Sequence, residues 1–168
     1  MTNPIIKINV KGLGSMTAEL YPEKAPLTVA NFIKLAKEGF YSGLIFHRVI
    51  KGFMIQGGGY TEDMGDTDAD SIKGEFKANG FMQNDLKHTR GVLSMARTSD
   101  PDSASSQFFV MHQDAPHLDA QYAGFGKLTD GFDVLDAIAS VKTGNYGWYM
   151  QDVPRTPVVI DSIEVVSR

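Results

Sequence analysis

Residues 46–50 read Phe-His-Arg-Val-Ile, and residues 52–58 read Gly-Phe-Met-Ile-Gln-Gly-Gly. Both stretches are rich in β-branched and aromatic residues and are punctuated by glycine, the composition of short strands joined by a tight turn. Strand side chains alternate between faces. Phe46 and Arg48 are therefore expected on one face of the first strand, and Met54 and Gln56 on one face of the second. Gln107, Phe109 and Met111 share parity in a third segment. Together these strands present a guanidinium, two carboxamides and several large apolar groups. Inside a barrel, unpaired polar groups of this kind are costly, so the shared face is expected to be an external groove. Phe53 falls out of phase, which predicts a local bend where the chain enters the second strand.

Outward from this centre, Ile5, Ile6, Ile8 and Val10 form a β-branched run. Gly12-Leu13-Gly14 turns it into a second strand over Met16 to Leu20, so the chain opens as a hairpin. Pro26 suits a first helical position, and Val29, Phe32, Ile33 and Ala36 follow at helical spacing until Gly39 ends the helix. Val92 to Arg97 and Gln107 to Met111 read as strands, Phe132 to Ser140 as a second helix, and Val158 to Val166 as a final strand. Short strands this dense predict a barrel or sandwich. There is no internal repeat and no linker.

The chain has 168 residues, 42% hydrophobic and 21% charged, which fits one domain over residues 1–168 with a packed core and excludes a disordered composition. Twenty acidic against sixteen basic residues give a net charge of -4. That field gives no help to binding a phosphate backbone or an anionic membrane, so no nucleic acid or membrane partner is expected. The absence of cysteine excludes disulfides and thiolate nucleophiles. Met1 to Val10 lacks the pattern of a secretory leader and no apolar run reaches about 20 residues, so a cytoplasmic, soluble protein is expected.

The segments at 46–50 and 52–58, followed in order by Ser94-Met95-Ala96, Ser106-Gln107-Phe108-Phe109 and Gly124-Phe125-Gly126, resemble the signature of the cyclophilins. The likeness runs from about residue 5 to 166. It implies a mainly β fold, a closed antiparallel eight-stranded barrel capped by two helices, and peptidyl-prolyl cis-trans isomerase activity without cofactor or metal. By the same resemblance Arg48 and Gln56 are catalytic, the arginine acting on the prolyl nitrogen and Gln56 orienting it. Gln107 holds the substrate backbone. Phe53, Met54, Phe109 and Leu118 form the proline pocket, and Ala96, Arg97 and Thr98 line the substrate path, with the backbone around Arg97 holding the residue before proline.

The implied partners are proline-containing peptides and unfolded chains, bound by a monomer. His117 and Tyr122 stand where better-known eukaryotic members carry Trp and His, a pairing found in bacterial-type members. Losing the indole removes contact surface and an N–H donor, so cyclosporin is expected to bind with reduced affinity. A non-enzymatic alternative is a proline-peptide binding module or holdase using the same groove.

Other motifs read as structural. His47 points away from Arg48 on a strand and is expected to be a hydrogen-bonded structural histidine. The acidic stretch Glu62, Asp63, Asp66, Asp68 and Asp70 fails as a calcium loop: counted from Asp66, Ser71 stands at the turn glycine and Lys77 at the terminal glutamate. It is expected to be a solvated loop. No zinc-protease, phosphate-loop or nucleophile-elbow spacing occurs.

Overall fold

The computed structural model describes residues 3–67, 69–147 and 150–167. The opening hairpin forms where alternation places it. β1 (Ile5–Val10) and β2 (Gly14–Leu20) pair from Ile5 opposite Glu19 to Val10 opposite Gly14. Ile6, Ile8 and Val10 on one strand and Met16, Ala18 and Leu20 on the other face the interior. Full burial of each larger aliphatic side chain contributes about 1.5–3 kcal/mol gross.

Helix α1 (Pro26–Lys37) starts at its proline and buries Val29, Phe32, Ile33 and Ala36. Ala25 offers no side-chain cap. The buried carboxylate of Glu75, distant in sequence, instead accepts from the backbone N–H groups of Leu27 at 3.1 Å and Thr28 at 2.7 Å. A negative charge there also suits the positive end of the helix dipole. Phe32 then anchors the core, its ring centroid 5.1–5.4 Å from those of Tyr41, Phe108 and Phe125.

The remaining strands of the main sheet are β3 (Arg48–Ile50), β4 (Met54–Gly57), β5 (Val92–Met95), β6 (Phe108–Met111), β7 (Gly124–Asp130) and β10 (Ile160–Ser167). Helix α2 (Phe132–Ala139) follows β7, and β8 (Thr143–Tyr146) with β9 (Met150–Pro154) makes a separate two-stranded ribbon. The main sheet has eight strands in the order β10-β1-β2-β7-β5-β6-β4-β3, and the pairs within it are antiparallel. This is the expected mainly β architecture with two α-helices.

Closure is looser than a barrel ladder. Edge strands β3 and β10 do not pair along their lengths. Residues 43–46, just before β3, stitch the seam to residues 158–160 at the start of β10, through Gly43 N–H to Ile160 O at 2.8 Å, Ile160 N–H to Leu44 O at 2.7 Å and Phe46 N–H to Val158 O at 3.0 Å. Ile45 stands opposite Val159 as an isolated bridge within this seam, and its own N–H turns the other way, to Tyr60 O at 2.9 Å.

That departure overturns one expected parity. Residues 46 and 47 lie outside the β3 ladder, so alternation does not carry across them. Phe46 turns inward against Phe108, with ring centroids 6.0 Å apart, whereas Arg48 is exposed on the outer surface.

Candidate active site

The groove is built on the outer side of β3, β4 and β6. Register sets its polar line: Arg48 stands opposite Gln56, and Gln56 opposite Phe109. Arg48 Nη1 donates to Gln56 Oε1 at 3.3 Å, and Gln56 Nε2 donates to Gln107 Oε1 at 3.0 Å. The amide of Gln56 thus has its oxygen toward the cation and its nitrogen toward the next acceptor, the orientation that satisfies both ends. Gln107 lies across the backbone of Gly59, where a Cβ would come within 2.5 Å of its side chain. Only glycine leaves that space.

Beside this line lies an apolar pocket. Met54, Phe109 and Leu118 are buried and pack with Val92, Met111 and Ala115 in a cluster separate from the barrel interior. The cavity measures about 150 Å³ and is lined by Arg48, Phe53, Met54, Gln56, Ala96, Arg97, Phe109, Leu118 and Tyr122. Thr98 and Gln107 line an adjoining groove of about 250 Å³, which shares Gln56, Ala96 and Arg97 with the first. His117 stands exposed at the rim, stacked on Phe53 with ring centroids 5.8 Å apart. The structure therefore gathers all the residues expected in the site. Phe53 enters from the β3–β4 turn, its N–H bonded to Ile50 O at 3.0 Å, the bend that its broken parity requires.

Arg97 does more than lend its backbone. Its guanidinium lies between the rings of Phe76 and Tyr122, at 4.8 and 4.7 Å, and donates to Gln121 O at 2.7 Å and Thr98 O at 2.9 Å. The side chain fastens the loop carrying Tyr122 to the end of β5, and Tyr122 in turn meets Phe109 edge to face at 5.8 Å. Neither Phe76 nor this latch has a local sequence signal.

A second unforeseen element lies under the pocket. His88 is buried, with Nδ1 3.2 Å from Asp119 Oδ1, Nε2 2.8 Å from Ser94 Oγ, and its ring stacked 6.1 Å from Phe109. A carboxylate accepts only, so Nδ1 carries the proton and Nε2 accepts from the serine hydroxyl. The order resembles a nucleophile relay, but Ser94 is 0% exposed and no substrate can reach it. Burial is the main cause holding the His88 pKa below its ordinary value, opposed by Asp119. These residues support the pocket floor.

His47 corrects an expectation. It is buried beside Tyr60, with ring centroids 4.5 Å apart, but its Nδ1 has no hydrogen-bond partner among the described residues. Burial first, and then the Arg48 charge, lower its pKa to about 4. It is structural without being fully hydrogen-bonded. In the acidic stretch, Asp63 accepts from the Thr61 hydroxyl and Gly65 N–H, which lower its pKa; Asp68 lies outside the described residues. No cluster of three or more His, Cys, Asp or Glu suited to a metal occurs among the described residues. None of their helices is long and apolar enough to cross a membrane.

Among the described residues, the lining of the apolar pocket contains no Asp, Glu, Lys or His. It therefore offers neither a carboxylate nor an imidazole for general acid–base work. What it offers is a permanent cation, oriented by an amide, next to an apolar cavity, an arrangement suited to a reaction that changes charge distribution without moving a proton.

Comparison with known proteins agrees. Residues 5–165 match the family described as "Cyclophilin type peptidyl-prolyl cis-trans isomerase/CLD". The chain is 46% identical over 173 aligned positions to the peptidyl-prolyl cis-trans isomerase of Acinetobacter baylyi, covering 99% of this chain and 88% of that protein. A crystal structure of a Cryptosporidium parvum cyclophilin-type isomerase superposes with a TM-score of 0.82 at 29% identity, covering 99% of each chain. A second structure of that protein, in the presence of the dipeptide Ala-Pro, gives a TM-score of 0.78 at 30% identity, over 98% of this chain and 99% of that one. With its fold, its ordered motifs and these relatives in agreement, the chain belongs to the cyclophilin-type peptidyl-prolyl cis-trans isomerases.

Proposed function

We propose that this isomerase works by binding a twisted X-Pro amide in the groove, with Arg48 as the donor to the prolyl nitrogen. The line Arg48–Gln56–Gln107 beside the apolar pocket carries this reading. A planar amide resists rotation by about 18–20 kcal/mol because the nitrogen lone pair is delocalised into the carbonyl, while cis and trans X-Pro forms differ by only about 0.5–1 kcal/mol. Twisting returns the lone pair to nitrogen. A fixed cationic donor then binds the transition state better than either planar form.

Gln56 holds the guanidinium in place, and Gln107 with the backbone at Ala96, Arg97 and Thr98 holds the chain preceding proline. Phe53, Met54, Phe109 and Leu118 seat the ring, with Tyr122 and His117 at the wall and rim. A charge-assisted hydrogen bond contributes about 1.5–3 kcal/mol, or ten- to a hundredfold in rate. The rest of the acceleration comes from holding the twisted geometry and from exclusion of water in the pocket. The polar line favours catalysis over passive binding, which needs no donor at the prolyl nitrogen.

The substrates proposed are exposed X-Pro bonds in unfolded or folding chains, acted on in the cytoplasm by a monomer whose 168 residues form one domain. Cyclosporin binds weakly in this account because His117 supplies no indole. Titration with a short Ala-Pro-containing peptide and its Ala-Ala counterpart, followed by amide shifts, tests the pocket. Shifts at Phe53, Met54 and Phe109 are expected with the proline peptide alone, and equal shifts with both peptides would overturn the assignment.

A further inference from the structure

The turn that delivers Phe53 to the groove is Lys51-Gly52-Phe53, between β3 and β4. Gly52 sits at φ +83°, a left-handed conformation that favours glycine. The tip is tied from outside. Gly52 N–H donates to His112 Nδ1 at 2.8 Å, and the backbone N–H of His112 donates to Phe53 O at 2.9 Å. His112 is 7% exposed and does not line the groove. Both ends of the Gly52–Phe53 peptide are thus held by one residue, immediately after β6.

The imidazole is itself fixed from α2. Its Nε2 lies 3.0 Å from Asp136 Oδ1. Because Nδ1 accepts from Gly52, Nε2 carries the ring proton and donates to the carboxylate. Asp136 is gripped by Arg90 in a two-point pair, Nη1 to Oδ1 at 2.8 Å and Nη2 to Oδ2 at 3.0 Å. Arg90 also donates to His112 O at 3.0 Å and lies 5.2 Å from the centre of the Phe132 ring. Bidentate pairs of this kind set direction as well as energy. The chain of contacts therefore runs from α2 through Asp136 and His112 to the peptide that carries a wall of the groove.

We propose that His112, held by Asp136 and Arg90, is a positioning residue that sets the Gly52–Phe53 turn and thereby the affinity of the pocket for the proline ring. It touches no substrate. Only the tautomer with a free Nδ1 accepts from Gly52, so the contact from Asp136 to Nε2 selects the working form of the ring. The charged side chains in contact with His112 are Asp136 and Arg90, and neither bonds to the Arg48–Gln56–Gln107 line. His112 therefore acts mainly on substrate binding, while Arg48 and Gln56 keep their own contacts.

This inference rests on Phe53 as a wall of the proline pocket, so Phe53→Ala is measured beside the His112 variants. Steady-state isomerisation of an X-Pro peptide separates KM from kcat, and the Gly52 amide resonance reports the hydrogen bond. Phe53→Ala is expected to raise KM. His112→Ala is expected to raise KM about three- to tenfold, the range for one lost hydrogen bond, with kcat within about twofold. His112→Asn places an acceptor oxygen near the position of Nδ1 and is expected to recover most of the affinity and the Gly52 shift, which a merely structural role would not predict. His112→Ala combined with Phe53→Ala is expected to add little to Phe53→Ala alone, because both act through one side chain. An unchanged KM in Phe53→Ala would overturn the pocket reading. A raised KM in Phe53→Ala together with wild-type KM in His112→Ala, or no recovery in a folded His112→Asn, would overturn the role of His112 alone.

Discussion

Arg48 and Gln56 face each other directly across the β3–β4 ladder, and the arginine donates to the amide oxygen over 3.3 Å. The same amide donates to Gln107, so Gln56 fixes the direction of the cation while being fixed itself. Gln56→Leu keeps the side-chain volume and removes both bonds. Its kcat/KM toward an X-Pro peptide is expected to fall about tenfold, the lower range for a hydrogen bond to a charged group, with little change in melting temperature. Wild-type kcat/KM in the folded variant would show that the guanidinium needs no such guide.

The pocket floor makes a separate prediction. Phe109 is 5% exposed, wedged between Tyr122 on one side and His88 on the other. Phe109→Leu is expected to raise KM several-fold and to destabilise the protein by about 1–2 kcal/mol through the space it leaves. Urea unfolding and steady-state kinetics on the same sample check both effects, and an unchanged KM would remove Phe109 from the substrate site.

Acid stability follows from His47. Its pKa is about 4 in the folded protein against 6.5 for the free side chain. Between those values the unfolded chain takes up a proton that the folded chain refuses. Stability is therefore fully present above about pH 6.5, falls as pH drops, and has lost this contribution below about pH 4. The difference corresponds to roughly 3 kcal/mol at most. Burial of His88 works in the same direction. His47→Gln is expected to flatten the fall in urea stability between pH 7 and pH 4.5, and a variant with the wild-type slope would contradict the assignment.

The rim predicts drug response. His117 stacks on Phe53 at the exposed edge of the groove and brings no indole surface. Weak inhibition by cyclosporin with intact isomerase activity is expected, along with a several-fold gain in drug affinity for His117→Trp. Nanomolar inhibition of the unaltered protein would contradict this account of the rim.

What the sequence reveals depends on whether the signal is local. Met54 and Gln56 are legible because strand alternation assigns their face, and the break at Phe53 marks the turn correctly. The Phe46–Arg48 pair fails because the chain leaves the ladder to stitch the seam at Val158, an event set by distant residues. β7 escapes a strand reading because two glycines dilute its β-forming residues. The β8–β9 ribbon does so because Thr-Gly-Asn-Tyr shows little apolar alternation. Glu75 on α1, His88 under Phe109 and His112 behind Gly52 leave no periodic trace at all. Each is a polar contact made by residues far apart in the chain, and only the fold joins them.

The most direct test of the mechanism is exchange spectroscopy on a short X-Pro peptide with wild type and Arg48→Ala, read with peptide affinity. Arg48 is exposed, so the variant is expected to remain folded and to bind the peptide within a few-fold of wild type. Its cis–trans exchange is expected to be at least tenfold slower, the loss of one charge-assisted hydrogen bond in the transition state. A folded Arg48→Ala protein that accelerates exchange as fast as wild type would contradict the claim that Arg48 stabilises the twisted amide.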